Sequence, residues 1–308
     1  MDHKNYIAAD RISELPNHLQ QHILSYLSIN EVVQSSVLSK RWKHVWTAVP
    51  VLGFNTILFG STEDKKNLDI QRKLQDFYIF LEKSLESRHK QRLTIREFIS
   101  HGLDKRSLNS RVDYDKTIQK LVAGRPVIED MKCHGLKSIK FSGLIKAKLI
   151  EVELNDDLER VELEASNLCR VVISQTKQCE INLLSCNNLR MLTLSAPNIT
   201  DKWLHNHFSQ LPLIDYLSVY SHTLERLKIS SHSLKTLYLM HWGSLIEVDI
   251  DTPNLCKFAY CGRNVIPFSS NALAPSEVTY QMLKPPLDIA PWNVEKIEFL
   301  TKLGNPNY

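Results

Sequence analysis

Residues 10–47 read DRISELPNHLQQHILSYLSINEVVQSSVLSKRWKHVWT. The spacing predicts three short helices within about forty residues, too few to enclose a core of their own. Pro16 suits a first helical position, where a missing N–H costs nothing. Leu19, Ile23, Leu24 and Leu27 follow at helical spacing and lay down one apolar stripe. Asn30 is a candidate N-cap for a second helix carrying Val32, Val33, Val37 and Leu38, and Ser39 for a third. The third sets Trp42, Val45 and Trp46 on one side, with Lys40, Arg41 and Lys43 on the other. A unit this small presents more apolar surface than it can bury, and so requires a partner.

Within this stretch the segments D-R-I-S-E-L-P, I-L-S-Y-L and S-V-L-S-K-R-W resemble an F-box of the plant type. Leu15-Pro16 together with Ser39-Lys40-Arg41-Trp42 are the most specific part of the match, which runs without a gap. Asn17-His18 departs from the acidic residue usual after Leu-Pro. The resemblance implies docking onto the SKP-type adaptor of a cullin–RING ubiquitin ligase. Carried onto this chain, the docking residues are Leu15, Pro16, Ile23, Leu24, Leu27, Val37, Leu38, Lys40, Arg41 and Trp42.

The chain has 308 residues, room for about two domains. A hydrophobic content of 43% with 23% charged residues is that of an ordinary globular protein. A net charge of +4 is too weak to argue for nucleic-acid binding, which calls for clustered basic residues. Cysteines 133, 169, 179, 186, 256 and 261 show neither a C-x-x-C pair nor metal-ligand spacing with histidine, and no cofactor is expected. Residues 1–10 lack the apolar core of a signal peptide, and no run of ~18 apolar residues could span a membrane. A nuclear or cytoplasmic location with free thiols is expected. No G-x-S-x-G, P-loop, H-E-x-x-H or G-x-G-x-x-G is present, so the chain is expected to be non-catalytic.

Residues 55–115 read as a connector after an F-box domain at 10–54. Ile70, Leu74, Phe77, Leu81 and Leu85 predict an amphipathic helix over 67–86. The basic run from Arg88 to Arg92 would end it, where cations complement the helix dipole. Leu93-Thr94-Ile95 then alternates like a strand.

From residue 128 a six-residue phrase recurs: apolar-x-x-apolar-x-apolar. One series starts at Ile128, Leu149, Leu168, Leu189, Ile214, Leu234 and Leu255, at intervals, by subtraction, of 21, 19, 21, 25, 20 and 21. A second runs between them through Leu136, Leu158, Gln178, Leu224 and Leu245. A period near twenty predicts a leucine-rich-repeat solenoid whose coils bury one another. Two segments, Asp115 to Ala123 and His205 to Gln210, read as helices leading into Ile128 and Ile214. Asn198-Ile199-Thr200-Asp201 before the second resembles the helix-leading motif of F-box leucine-rich repeats. That assigns the 128 series to the concave face. The expected fold is α/β: a three-helix F-box, then about seven irregular coils over 116–262 and a capping segment over 263–308. A further C-terminal module common in the family looks absent or truncated, and residues 294–299 read as a last capping strand. The resemblance thus extends to plant F-box/leucine-rich-repeat proteins.

In such strands the phrase residues point inward and the others outward. The outward pairs are then Asp130/Lys132, Glu151/Glu153, Arg170/Val172, Met191/Thr193, Tyr216/Ser218, Thr236/Tyr238 and Lys257/Ala259, followed by Tyr220, Met240 and Trp242. Charge crowds the first three coils, aromatic and methionine side chains the later ones. Met191, Thr193, Tyr216, Tyr220, Tyr238, Met240 and Trp242 are therefore the candidate target-binding residues, because tyrosine and methionine supply large contact area with few rotors. Lysines between 132 and 148 adjoin seven acids between 151 and 164, and neighbouring coils of opposite sign would pair laterally. The expected role is a ligase subunit whose F-box meets the adaptor, and through it cullin and RING subunits, while the solenoid holds a target protein. A small-molecule receptor of the same build, or an F-box protein that binds targets without ubiquitylating them, are the alternatives.

Overall fold

Apolar residues two apart, punctuated by turns about every twenty positions, stack this chain as short parallel strands. The computed structural model describes residues 14–27, 85–101, 128–153, 158–175, 177–196, 199–241, 245–262 and 275–282. Shorter pieces lie at 31–32, 45, 49, 51–55, 72, 79, 82–83, 118–119, 122 and 268–270. A long ten-stranded sheet joins β1 (Val51–Asn55), β2 (Ile95–His101), β3 (Ile128–His134), β5 (Leu149–Glu153), β7 (Arg170–Ser174), β9 (Met191–Ser195), β10 (Tyr216–Ser221), β12 (Thr236–His241), β14 (Lys257–Gly262) and β16 (Glu277–Met282), in that order. Two three-stranded sheets form the other side. One is β4 (Ser138–Ser142), β6 (Arg160–Glu164) and β8 (Glu180–Asn182); the other is β11 (Arg226–Ser230), β13 (Glu247–Asp251) and β15 (Phe268–Ser270). Every pair is parallel, as expected when each strand belongs to a successive coil.

Among the described residues, six coils carry a strand on both sides, and the coil of β9 carries a helix opposite its strand. That helix, Asp201–Phe208, interrupts the short-strand side between β8 and β11. It is called α2 here, after α1 (Asn17–Leu24). It starts four residues earlier than His205, because the Thr200 hydroxyl accepts the Trp203 N–H at 3.2 Å and Asp201 faces the positive end of the helix. Ile118, Gln119 and Val122 are helical as well, and the Gln119 amide donates to the Ser138 carbonyl.

The core lies between the two sides. Leu192, Leu194, Leu217, Val219, Leu237 and Leu239 fill it from the long sheet; Ile139, Phe141, Val161, Leu163, Leu227 and Ile229 fill it from the short ones. One coil departs from the predicted register. Leu149 is only half-buried and sits opposite Asp130 and Arg170, whereas Ala147 is buried before Ile150 and Val152. The phrase there starts at Ala147, so the intervals become 147 − 128 = 19 and 168 − 147 = 21. The outward pair of this coil is therefore Leu149/Glu151. Similarly, Gln178 is exposed and Cys179 takes the buried place beside it.

Coil is bound to coil by a side-chain ladder at the turn into the long sheet. Asn167 donates to the Ile145 carbonyl at 2.5 Å, Asn188 to Ser166 and Asn254 to His232, both at 2.7 Å. Ser233 and Ser276 do the same to Ile214 and Cys256. Each satisfies a carbonyl of the coil before it, and only that of Cys256 also receives a strand N–H, from Glu277.

The long sheet runs past both edges expected for the repeats, beginning with β1 at Val51 and continuing to Met282. After Asn55, which ends β1, the described residues of the connector are helical up to Lys90. Arg88, the first residue of the basic run expected to end the helix, is buried: its Nη1 donates to the Val49 carbonyl at 2.7 Å. Burial lowers its guanidinium to about 10, so it remains charged near neutral pH. β2 begins at Ile95, two residues into the alternating segment, and extends to His101. The capping strand expected at 294–299 lies outside the described residues.

Candidate functional site

Two separate surfaces carry the candidate residues. The first is α1. Pro16 is its N-cap and not its first helical residue, so the helix starts one residue later than expected; ψ of 146° keeps Pro16 outside the helix while its carbonyl accepts from Leu19 and Gln20. Leu24 turns inward and forms a small cluster with Val32, Val45 and Val49. Gln20 shares that buried side. Leu19, Ile23 and Leu27, four residues apart, stay 40–42% exposed, and Tyr26 beside them is 77% exposed. The apolar stripe of the sequence is thus split: Leu24 stabilises the unit and is not free to dock, and its neighbours form an uncovered apolar face. Leu15 is half-buried and Pro16 exposed at the start of the same face. Val37, Leu38, Lys40, Arg41 and Trp42 lie outside the described residues.

The second surface is the outward face of the long sheet. Register places Met191, Tyr216 and Thr236 in one row, Thr193, Ser218 and Tyr238 in the next, and Ser195, Tyr220 and Met240 in a third. Tyr238 and Met240 are 37% and 45% exposed; Met191, Thr193, Tyr216 and Tyr220 are half-buried by one another and by their neighbours. The Tyr220 hydroxyl meets His222 Nε2 at 3.1 Å, which steadies its ring. The candidate residues of this face are therefore contiguous, apart from Trp242, which lies outside the described residues.

At the other end of the sheet the outward side chains are charged. Lys132 bridges Glu97 at 2.9 Å and Glu151 at 3.7 Å across β2, β3 and β5. The hydrogen bond to Glu97 and the adjoining carboxylates hold its ammonium above the usual lysine range. On the short-strand side Lys140 pairs with Glu162 and Arg160 with Glu162 and Glu180. The opposite charge blocks thus pair laterally, at about 0–1 kcal/mol for each exposed pair.

A cleft of about 590 Å³ opens between β8 and α2, on the side away from the tyrosines. Trp203 donates its indole N–H to the Ile181 carbonyl at 3.0 Å and stacks on His207, centroids 3.9 Å apart. Burial lowers the His207 imidazole, against a hydrogen bond to the Trp203 carbonyl. Burial likewise pushes the Cys186 thiol up to about 11 and Cys179 to about 12, which removes nucleophilic thiolate at neutral pH. Among the described residues no cluster of His, Cys, Asp or Glu could hold a metal ion, and no helix is long and apolar enough to cross a membrane.

The F-box domain family matches residues 12–52. F-box/LRR-repeat protein 25 of Arabidopsis thaliana is 27% identical over 215 residues, covering 69% of this chain and 68% of that protein. An F-box/FBD/LRR-repeat protein of the same plant is 23% identical over 261 residues, 79% of this chain and 55% of the relative. Another, a putative F-box/FBD/LRR-repeat protein, is 45% identical over 84 residues, but that is 25% of this chain and 19% of its own. The chain thus spans from about two thirds to a fifth of these relatives. No solved structure matches it significantly. An F-box near the N-terminal end with a parallel-strand solenoid of leucine-rich-repeat type behind it is the build of the plant F-box/leucine-rich-repeat proteins that this chain resembles.

Proposed function

We propose that this protein is the substrate-recognition subunit of an SCF-type ubiquitin ligase. The observation that carries the reading is the pairing of two distinct exposed surfaces on one chain: the apolar face of α1 and the tyrosine–methionine face of the long sheet. The first docks the SKP-type adaptor, and cullin and RING subunits are reached through it. The second holds the target protein. F-box/LRR proteins are in general non-catalytic, and this chain contributes proximity, presenting target lysines to a conjugating enzyme. It works in the nucleus, the cytoplasm or both.

Co-precipitation tests the reading. The full chain should capture an SKP-type adaptor and cullin, and an Ile23→Glu/Leu27→Glu variant should lose both. Proteins that accumulate on the wild-type chain only when the proteasome is inhibited are the targets. Capture of a target that neither cullin nor proteasome inhibition affects would replace the ligase reading with simple target binding.

A further inference from the structure

The outward side chains of the long sheet change character along its length. On β2, β3 and β5 four outward carboxylates, Glu97, Asp130, Glu151 and Glu153, share the ammonium of Lys132, while Lys148, paired with Glu129, also acts on Asp130. With Glu129, Arg96 and Lys148 at the strand starts included, five carboxylates face three cations, an excess of two negative charges, and the cation on the next strand is Arg170. Two of these carboxyls register the excess. Asp130 is raised by burial and by Glu97 and Glu129; Glu153 is raised by its hydrogen bond to Glu151, by burial and by the charge of Glu151. From β9 to β12 the same rows hold Met191, Tyr216, Tyr238 and Met240, without a charge.

We infer that the long sheet takes an extended segment of its target protein with a lysine or arginine at one end and an aromatic or aliphatic anchor at the other. This rests on the target-binding reading of the same face. Adjacent strands lie ~4.8 Å apart, so three steps from β5 to β10 span about 14 Å and five steps from β3 to β12 about 24 Å. An extended chain advances ~3.4 Å per residue, which sets the basic and apolar positions about four to seven residues apart. Acidic segments are rejected, because they would set like charges against Asp130 and Glu153.

Panning a random dodecapeptide display library on the immobilised full chain tests this. Two variants run in parallel: Asp130→Asn/Glu153→Gln, which spares both ion pairs of Lys132, and Tyr216→Ala/Tyr238→Ala. Thermal melts confirm that each is folded. Wild type should enrich peptides with Lys or Arg four to seven positions from an aromatic or aliphatic residue. The carboxylate variant should lose the basic preference and keep the apolar one. Enrichment of acidic peptides, or a basic bias that survives in the carboxylate variant, would overturn the inference while leaving the binding face intact. No enrichment at all, or identical peptides from wild type and the tyrosine variant, would remove the target-binding reading of this sheet as well. Peptides displaced by self-association of the chain would assign the face to a second copy, which also overturns it.

Discussion

Tyr216 on β10 and Tyr238 on β12 stand one strand apart and two residues along in register, their ring centroids 5.6 Å from each other and their planes tilted by 42°. Neither ring reaches the core, so each helps fix the other's orientation and presents preorganised apolar area. Tyr216→Ala/Tyr238→Ala should therefore prolong target half-life in cells several-fold while adaptor capture and melting temperature stay near wild type. Arg160→Ala/Glu162→Ala, on the opposite side, should change neither. The reverse outcome, read by cycloheximide chase, would move the target to the short-strand side.

Leu192 and Thr193 are consecutive but face opposite ways, Leu192 fully buried and Thr193 half-exposed. Leu192→Asp should unfold the solenoid, since a carboxylate there has no partner and its desolvation alone costs several kcal/mol. Thr193→Asp should lower the melting temperature by only a few degrees. Circular dichroism melts of the two variants decide it, and equal melting temperatures would mean the register is wrong.

On α1 the burial difference separates stability from docking. Leu24→Ala should cost about 2–5 kcal/mol in the F-box unit, because it empties the cluster with Val32, Val45 and Val49. Ile23→Glu, at a 42% exposed position, should leave stability within about 0.5 kcal/mol and weaken adaptor capture by at least tenfold. Binding of the adaptor to Ile23→Glu at wild-type strength would place the docking face elsewhere.

His207 gives the solenoid a pH dependence. Burial against Trp203 lowers its folded-state affinity for a proton below that of the unfolded chain, which titrates near 6.5. The unfolded state therefore binds more protons as pH falls through that value, and the contribution of neutral His207, present above about 6.5, is lost below it. Urea midpoints should drop between pH 7 and 5, and His207→Gln should flatten that slope. An unchanged slope in the variant would assign the dependence to other groups.

The repeat was legible because its period is carried by buried aliphatics, which strand geometry forces inward at fixed steps. Leu149 misled for a physical reason: Leu149, Val152 and Leu154 satisfy the same spacing as Ala147, Ile150 and Val152, and only the packed coil prefers the smaller residue. The asparagine ladder was written in the chain as Asn-Leu at 167–168, 188–189 and 254–255, a signal that a purely apolar pattern passes over. Leu24 could not be told from Ile23 and Leu27, since Leu19, Ile23, Leu24 and Leu27 share one stripe and burial depends on Val45 and Val49 arriving from later in the chain. Arg88 was hidden among basic neighbours, whose composition signals a solvated surface.

Arg88 also bears on reach. Its guanidinium reaches from the connector helix to the carbonyl of Val49, and Val49 packs on Leu24 of α1, two residues before β1 opens the long sheet. One buried cation thus braces the joint between the two surfaces, where a slack linker would let them swing independently. In a ligase such an elbow acts as a ruler. Which lysines of a captured protein come within range would be decided by the angle of this joint, and two targets gripped equally well could meet different fates according to where their lysines fall.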